Sequence, residues 1–255
     1  MFGGILLRIY LTGEVAVECG EQLLRDADLA GRQGRLALVY LVAERERAVT
    51  QSELAELLWP DSLPTSWPVA LSAVISKLRQ KLGSLGLDRD RIIANAFRCY
   101  QFRPPAVAWI DIEAAADAVH QAEGALLANQ PDAAYGPSLI ATTIARRPFL
   151  TGEDAPWVET RRERLHEILV RALDCRVEAL LWNGELALAQ DQARTAVELE
   201  PFRESGYRRL MQVLVRRGDR AEAVRVYQDC RRRLADELGV PPSEETEALL
   251  RSLVR

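Results

Sequence analysis

Histidine is nearly missing from this 255-residue chain: His120 and His166 are the only two. That leaves no histidine cluster for a zinc centre and makes a catalytic triad built on histidine a poor reading. The four cysteines, Cys19, Cys99, Cys175 and Cys230, are separated by 80, 76 and 55 residues and form no Cys-x-x-Cys pair. They read as reduced cytosolic thiols rather than as metal ligands or a disulfide framework. The chain has no Gly-x-Gly-x-x-Gly, no P-loop and no Gly-x-Ser-x-Gly, so nucleotide and acyl-transfer chemistry have no motif to rest on. No apolar run approaches the roughly 18–20 residues of a membrane helix. Met1–Leu7 lacks a basic leader, and Phe2 stands where myristoylation needs glycine. These absences predict a cytoplasmic protein with no enzymatic activity, no cofactor, no metal and no membrane partner.

What is present is ordinary globular composition, 48% hydrophobic and 27% charged. The length fits one large domain or two ordinary ones. Charge and texture both change near residue 103. Residues 1–103 carry 13 basic and 12 acidic side chains, whereas the remainder has a net charge of −5. Pro104-Pro105 marks a natural boundary, since neither ring nitrogen can donate to a ladder or a helix. Two domains are therefore expected, 1–103 and 104–255.

In the first, Ile5–Leu11, Glu14–Cys19 and a segment at Leu23-Leu24 read as strands. Helices are expected over Gly34–Ala43, from Gln51 to Trp59 and from Trp67 to Leu82. The second of these is announced by a Thr50-x-x-Glu53 capping box. Arg91–Ala94 and Arg98–Arg103 read as a closing hairpin. The second domain reads as helical almost throughout. Helices are expected over Glu113–Ala128, Ala133–Arg146, Pro156–Trp182 and Ser243–Val254. Gly184, Ala187 and Ala189 recur 34 residues later as Gly218, Ala221 and Ala223. Ala193 and Ala196 map less well, onto Tyr227 and Cys230. A 34-residue period with glycine between paired helices is the tetratricopeptide signature, and Pro201 sits where that repeat places its closing proline.

The helix Trp67–Leu82 is the most informative element. Leu71, Val74, Ile75, Leu78 and Leu82 form its apolar stripe. The opposite arc holds Val69, Ser72, Ala73, Ser76, Lys77, Arg79 and Gln80. Arginine and lysine can reach guanine O6 and N7, glutamine can pair with adenine, and serine adapts to either, so the arc suits a major groove. A solvated helix face is the usual meaning of such an arc. Thr50 and Gln51 open a helix whose amides could meet a phosphate, and Arg98 sits in the hairpin, where a wing could touch the backbone. The arginine doublets at 161–162, 208–209 and 216–217 and the triplet at 231–233 read as solvated faces or as parts of a concave groove. His120 and His166 read as surface residues, and Trp109, Trp157 and Trp182 as packing.

On these residues the sequence resembles the Streptomyces antibiotic regulatory protein family, an OmpR-type winged helix fused to a bacterial transcriptional activator domain. In the first domain the resemblance rests on Gln33-Gly34-Arg35, on Gln51–Trp59, on the run from Val74 to Leu82 and on Tyr100-Gln101-Phe102. In the second it rests on Pro156-Trp157-Val158-Glu159, on Arg203–Leu210 and on the run from Leu234 to Pro242. Two departures stand out. Cys99 occupies a place where the family usually has glycine, and the wing carries few basic residues.

The resemblance implies an α+β winged-helix domain followed by an all-α tetratricopeptide-like domain, mainly α overall. It adds Arg35 and Lys81 to the DNA-facing set. It places a contact with RNA polymerase in the loop Pro60–Ser66, on Asp61, Ser62, Leu63 and Thr65; the residues alone say only that this loop is polar and proline-stiffened. The implied function is a sequence-specific activator that binds direct-repeat promoter DNA, as a homodimer or a side-by-side pair, recruits RNA polymerase and controls genes of secondary metabolism. Two alternatives remain open at this point. One is a tetratricopeptide-type adaptor whose first domain has lost DNA binding. The other is an output module controlled by a partner protein.

Overall fold

Alternating apolar residues open the described part of the chain. The computed structural model describes residues 7–254; Ile5 and Leu6, expected to begin the first strand, lie outside the described residues. Leu7–Tyr10 (β1), Ala16–Cys19 (β2) and Gln22–Arg25 (β3) form an antiparallel meander with Leu7 opposite Cys19 and Ile9 opposite Val17. All four of those side chains are buried, as the period of two requires. Gly31–Ala43 (α1) follows, then the two-residue strand Val49–Thr50 (β4), Gln51–Leu58 (α2) and Trp67–Ser84 (α3). Gly34 in α1 is a packing requirement. A Cβ there would lie 1.9 Å from the carbonyl oxygen of Leu29.

A short helix that periodicity did not foresee, Arg89–Ile92 (α4), leads into Ile93–Ala96 (β5) and Cys99–Phe102 (β6). These pair antiparallel, and β6 also pairs with β4, giving a small sheet in the order β4-β6-β5. The α3 stripe is buried as expected at Leu71, Ile75, Leu78 and Leu82, each contributing about 1.5–3 kcal/mol by leaving water.

Ala108–Ile110 (β7) adds a strand parallel to β1, so the larger sheet runs β3-β2-β1-β7. At its end Asp111 is fully buried. Its carboxylate accepts hydrogen bonds from the Leu11 and Thr12 amides at 3.0 and 2.9 Å, the Thr12 hydroxyl at 2.7 Å and the Ile112 amide at 2.8 Å. Among the described residues, the first compact unit comprises those up to 113 together with 147–162. The expected boundary at Pro104-Pro105 thus falls inside this unit. The segment 147–162 is held by specific contacts. Glu153, 5% exposed, receives Arg32 at 2.5 Å and Arg35 at 2.8 Å. Trp157 meets the Tyr40 and Phe149 rings edge-on at 5.1 and 6.2 Å.

Among the described residues, the second unit comprises 114–146 and those from 163 onward. Its helices are Asp111–Leu127 (α5, beyond its first residues), Pro131–Ala145 (α6), Pro156–Trp182 (α7, in its later part), Leu186–Leu199 (α8), Glu204–Arg216 (α9), Arg220–Arg233 (α10) and Glu244–Val254 (α11). The 34-residue period is visible in the backbone. Gly184 and Gly218 are left-handed, with φ of 75° and 87°. In both, the next amide reaches back to close the preceding helix: Glu185 donates to Leu180 O at 2.9 Å and Asp219 to Leu214 O at 2.8 Å. This is a Schellman closure used twice. Ala189 and Ala223 are both fully buried, and the less similar pairs Ala193/Tyr227 and Ala196/Cys230 are buried alike. The repeat therefore conserves burial where it does not conserve side-chain size. Trp182 differs from its expected packing role, being 63% exposed.

Candidate nucleic-acid interface

The three helices α1–α3 and the β5–β6 wing bring most of the expected DNA-facing residues to the surface of the first unit. On α3, Ser72, Ala73, Ser76, Lys77, Gln80 and Lys81 are all exposed. Lys77 and Lys81 have no carboxylate within salt-bridge distance among the described residues. The serines and Gln80 place short hydroxyls and one amide between the two cations, a face able to read base edges and to meet phosphates.

Arg79 is a correction to the exposed arc. Its Nε and Nη2 both donate to the carbonyl of Ile93, at 3.1 and 2.5 Å. The side chain therefore holds the start of β5 against α3. Arg35 is a second correction. It pairs with Asp26 at 3.1 Å and with Glu153 at 2.8 Å, and is largely buried. Both guanidinium groups are committed inside the unit.

Thr50 caps α2 as expected, its hydroxyl accepting from the Glu53 amide at 3.2 Å. Glu53 itself turns to Arg47 at 2.5 Å and to the Tyr40 hydroxyl at 2.6 Å. The Arg47 guanidinium holds the Glu53 carboxyl below the usual carboxylate range. The Tyr40 phenol, half-buried and donating to Glu53, is pushed up to about 12. The Gln51 amide, expected to face a phosphate, instead donates to the Arg98 carbonyl at 2.9 Å. That bond ties the wing tip to the beginning of α2.

The wing turn is a two-residue connection. Ala96 pairs with Cys99, and Phe97 and Arg98 between them have φ of 51° and 59°. Positive φ at both central residues is the type I′ hairpin, usually built from Asn-Gly. Cys99, flagged in the sequence for replacing a glycine, is instead the first residue of β6. The strain falls one and two residues earlier. Phe97 is fully exposed and Arg98 is exposed beside it. Phe97 carries no signal of its own in the sequence, since the expected strands Arg91–Ala94 and Arg98–Arg103 leave it between them. The loop residues Asp61, Ser62, Leu63 and Thr65 are all exposed.

The bacterial transcriptional activator domain model matches residues 110–254. The regulatory protein AfsR of Streptomyces coelicolor is 30% identical over 225 residues, which is 88% of this chain and 22% of AfsR. AfsR of Streptomyces griseus is 29% identical, over 98% of this chain and 24% of that protein. The transcriptional regulatory protein EmbR of Mycobacterium tuberculosis is 25% identical, over 87% of this chain and 57% of its own length. The chain spans less than a quarter of either AfsR. A solved structure of Mycobacterium tuberculosis EmbR in complex with a low-affinity phosphopeptide shares the fold. Its TM-score is 0.86 at 23% identity, over 98% of this chain and 65% of that one.

Proposed function

Because the chain belongs to the bacterial transcriptional activator domain family, we propose that it is a sequence-specific transcriptional activator that binds direct-repeat promoter DNA. In this reading α3 enters the major groove and the wing tip follows the backbone. RNA polymerase is recruited through the Pro60–Ser66 loop. The observation that carries the reading is the division between cations: Lys77, Lys81 and Arg98 stand free on the α3 and wing surface, while Arg35, Arg47 and Arg79 are bound within the unit. The names of the relatives, regulatory protein AfsR and transcriptional regulatory protein EmbR, support it.

Lys77→Ala should weaken binding and move the slope of log affinity against log salt toward zero by about one unit, if Lys77 meets a phosphate. If it meets a base edge, the loss is about 1–3 kcal/mol of specific binding. The melting temperature should not change. Arg79→Ala should instead lower the melting temperature, because it releases the Ile93 carbonyl. Gel shifts over a salt series, with thermal melts, separate the two. Unchanged affinity and slope in Lys77→Ala would remove α3 from the interface.

Asp61→Ala and Leu63→Ala should lower transcription in vitro at unchanged DNA affinity. Parallel loss of both would place the loop in the DNA site and move the polymerase contact elsewhere.

One observation favours the adaptor alternative. In the second unit an open cavity of about 680 Å³ is lined by Leu126, Pro131, Trp182 and Val215 together with Glu178 and Arg216, a mixed surface of the kind helical repeats use for partners. A chain that shows no salt-dependent gel shift on its own upstream region would belong to that reading.

A further inference from the structure

Among the described residues, four charged side chains are buried: Asp111, Glu153, Asp174 and Arg176. Three are compensated. Asp111 accepts backbone and hydroxyl donors, Glu153 pairs with Arg32 and Arg35, and Asp174 pairs with Arg203 and Arg209. Arg176 is the exception. It is 8% exposed and has no carboxylate within salt-bridge distance among the described residues. Its one hydrogen bond runs from Nη1 to the Tyr135 carbonyl at 3.2 Å, and its guanidinium lies 4.2 Å from the centre of the Tyr135 ring. A guanidinium has five N–H donors, and burying a charge without a counter-ion is costly.

Arg176 lines a cavity of about 280 Å³ in the second unit. At the rim stand the exposed Arg146, steered by Gln192 Oε1 at 3.2 Å, and Thr143. No aspartate or glutamate lines the cavity, while Leu139, Leu180 and Leu188 give it an apolar wall. Two arginines with unused donors are suited to bidentate capture of a carboxylate or phosphate. The volume lies at the lower edge of small-molecule sites.

We propose that this cavity binds a small organic anion, with its carboxylate or phosphate ester held between Arg176 and Arg146 and its apolar body against the leucines. The inference does not depend on how the first unit meets DNA.

The test uses the full chain, with benzoate and phenyl phosphate as probes and neutral benzyl alcohol as control. Binding is followed by calorimetry and by the arginine Nε–Hε resonances. Saturable one-site binding is expected for at least one anion, with a shift of the Arg176 resonance. Affinity should fall about tenfold or more in Arg176→Met and in Arg146→Gln, the scale of one charge-assisted hydrogen bond. Ligand-free Arg176→Met should melt no lower than the native chain, because it removes an uncompensated charge; a purely structural arginine would lower it. If Arg176→Met does not fold, Arg146→Gln decides, since its side chain is exposed. Non-saturable binding of both anions, benzyl alcohol binding as tightly as they do, or native affinity in Arg146→Gln would overturn the proposal.

Discussion

Asp111→Ala should cost the first unit about 3–5 kcal/mol, a large share of a domain's usual stability. The carboxylate is fully buried and serves the Leu11 and Thr12 amides, the Thr12 hydroxyl and its own neighbour's amide. Removing it leaves these donors facing a small cavity. Each unsatisfied buried donor costs about 1–3 kcal/mol, partly recovered where water enters. Asp111→Asn keeps the shape but turns an NH₂ toward donors, so it should recover only part of the loss. Urea unfolding of the three proteins gives the numbers. A loss under about 1 kcal/mol in Asp111→Ala would mean that the junction of β1 and β7 relaxes without penalty.

The second large effect concerns the proposed DNA reading. Three free cations on the α3 and wing surface, Lys77, Lys81 and Arg98, are few. If each meets one phosphate at about −0.9 of slope, one copy has a salt slope near −2.7. A single copy should therefore hold a lone half-site weakly. Two copies on repeats spaced by about one helical turn, 10–10.5 base pairs, add their contacts and should gain about 10²–10⁴ in apparent affinity. The salt slope should roughly double. Titrations of one-repeat and two-repeat probes at several salt concentrations check both quantities. Equal affinity for the two probes would remove the side-by-side model.

Much of this was legible where a single period governs. The α3 stripe follows from 3.6-residue spacing, and Gly184 and Gly218 announced two helix ends 34 residues apart. What stayed hidden depended on distant partners. Arg79 and Lys77 look alike on a helical wheel; only the position of the Ile93 carbonyl separates a strut from a free cation. Arg35 gave no sign of being neutralised by a glutamate 118 residues later. Ala108-Trp109-Ile110 is too short to signal a strand, and its pairing with Leu7–Ile9 spans about a hundred residues. The wing turn stays hidden because Phe97-Arg98 lacks the Asn-Gly chemistry that marks a type I′ hairpin.

The discontinuous first unit bears on how the chain is made. Residues 147–162 complete it, yet the ribosome delivers 114–146 in between. At about 5–20 residues per second, the nascent β1–β7 sheet and α1–α3 wait roughly 2–10 s for Glu153 and Trp157. During that interval Arg32 and Arg35 lack their buried glutamate, and the Tyr40 ring lacks Trp157. The surface proposed to read DNA thus matures only after α6 has been translated. A nascent chain arrested before residue 147 would carry α3 and the wing on an unfinished support.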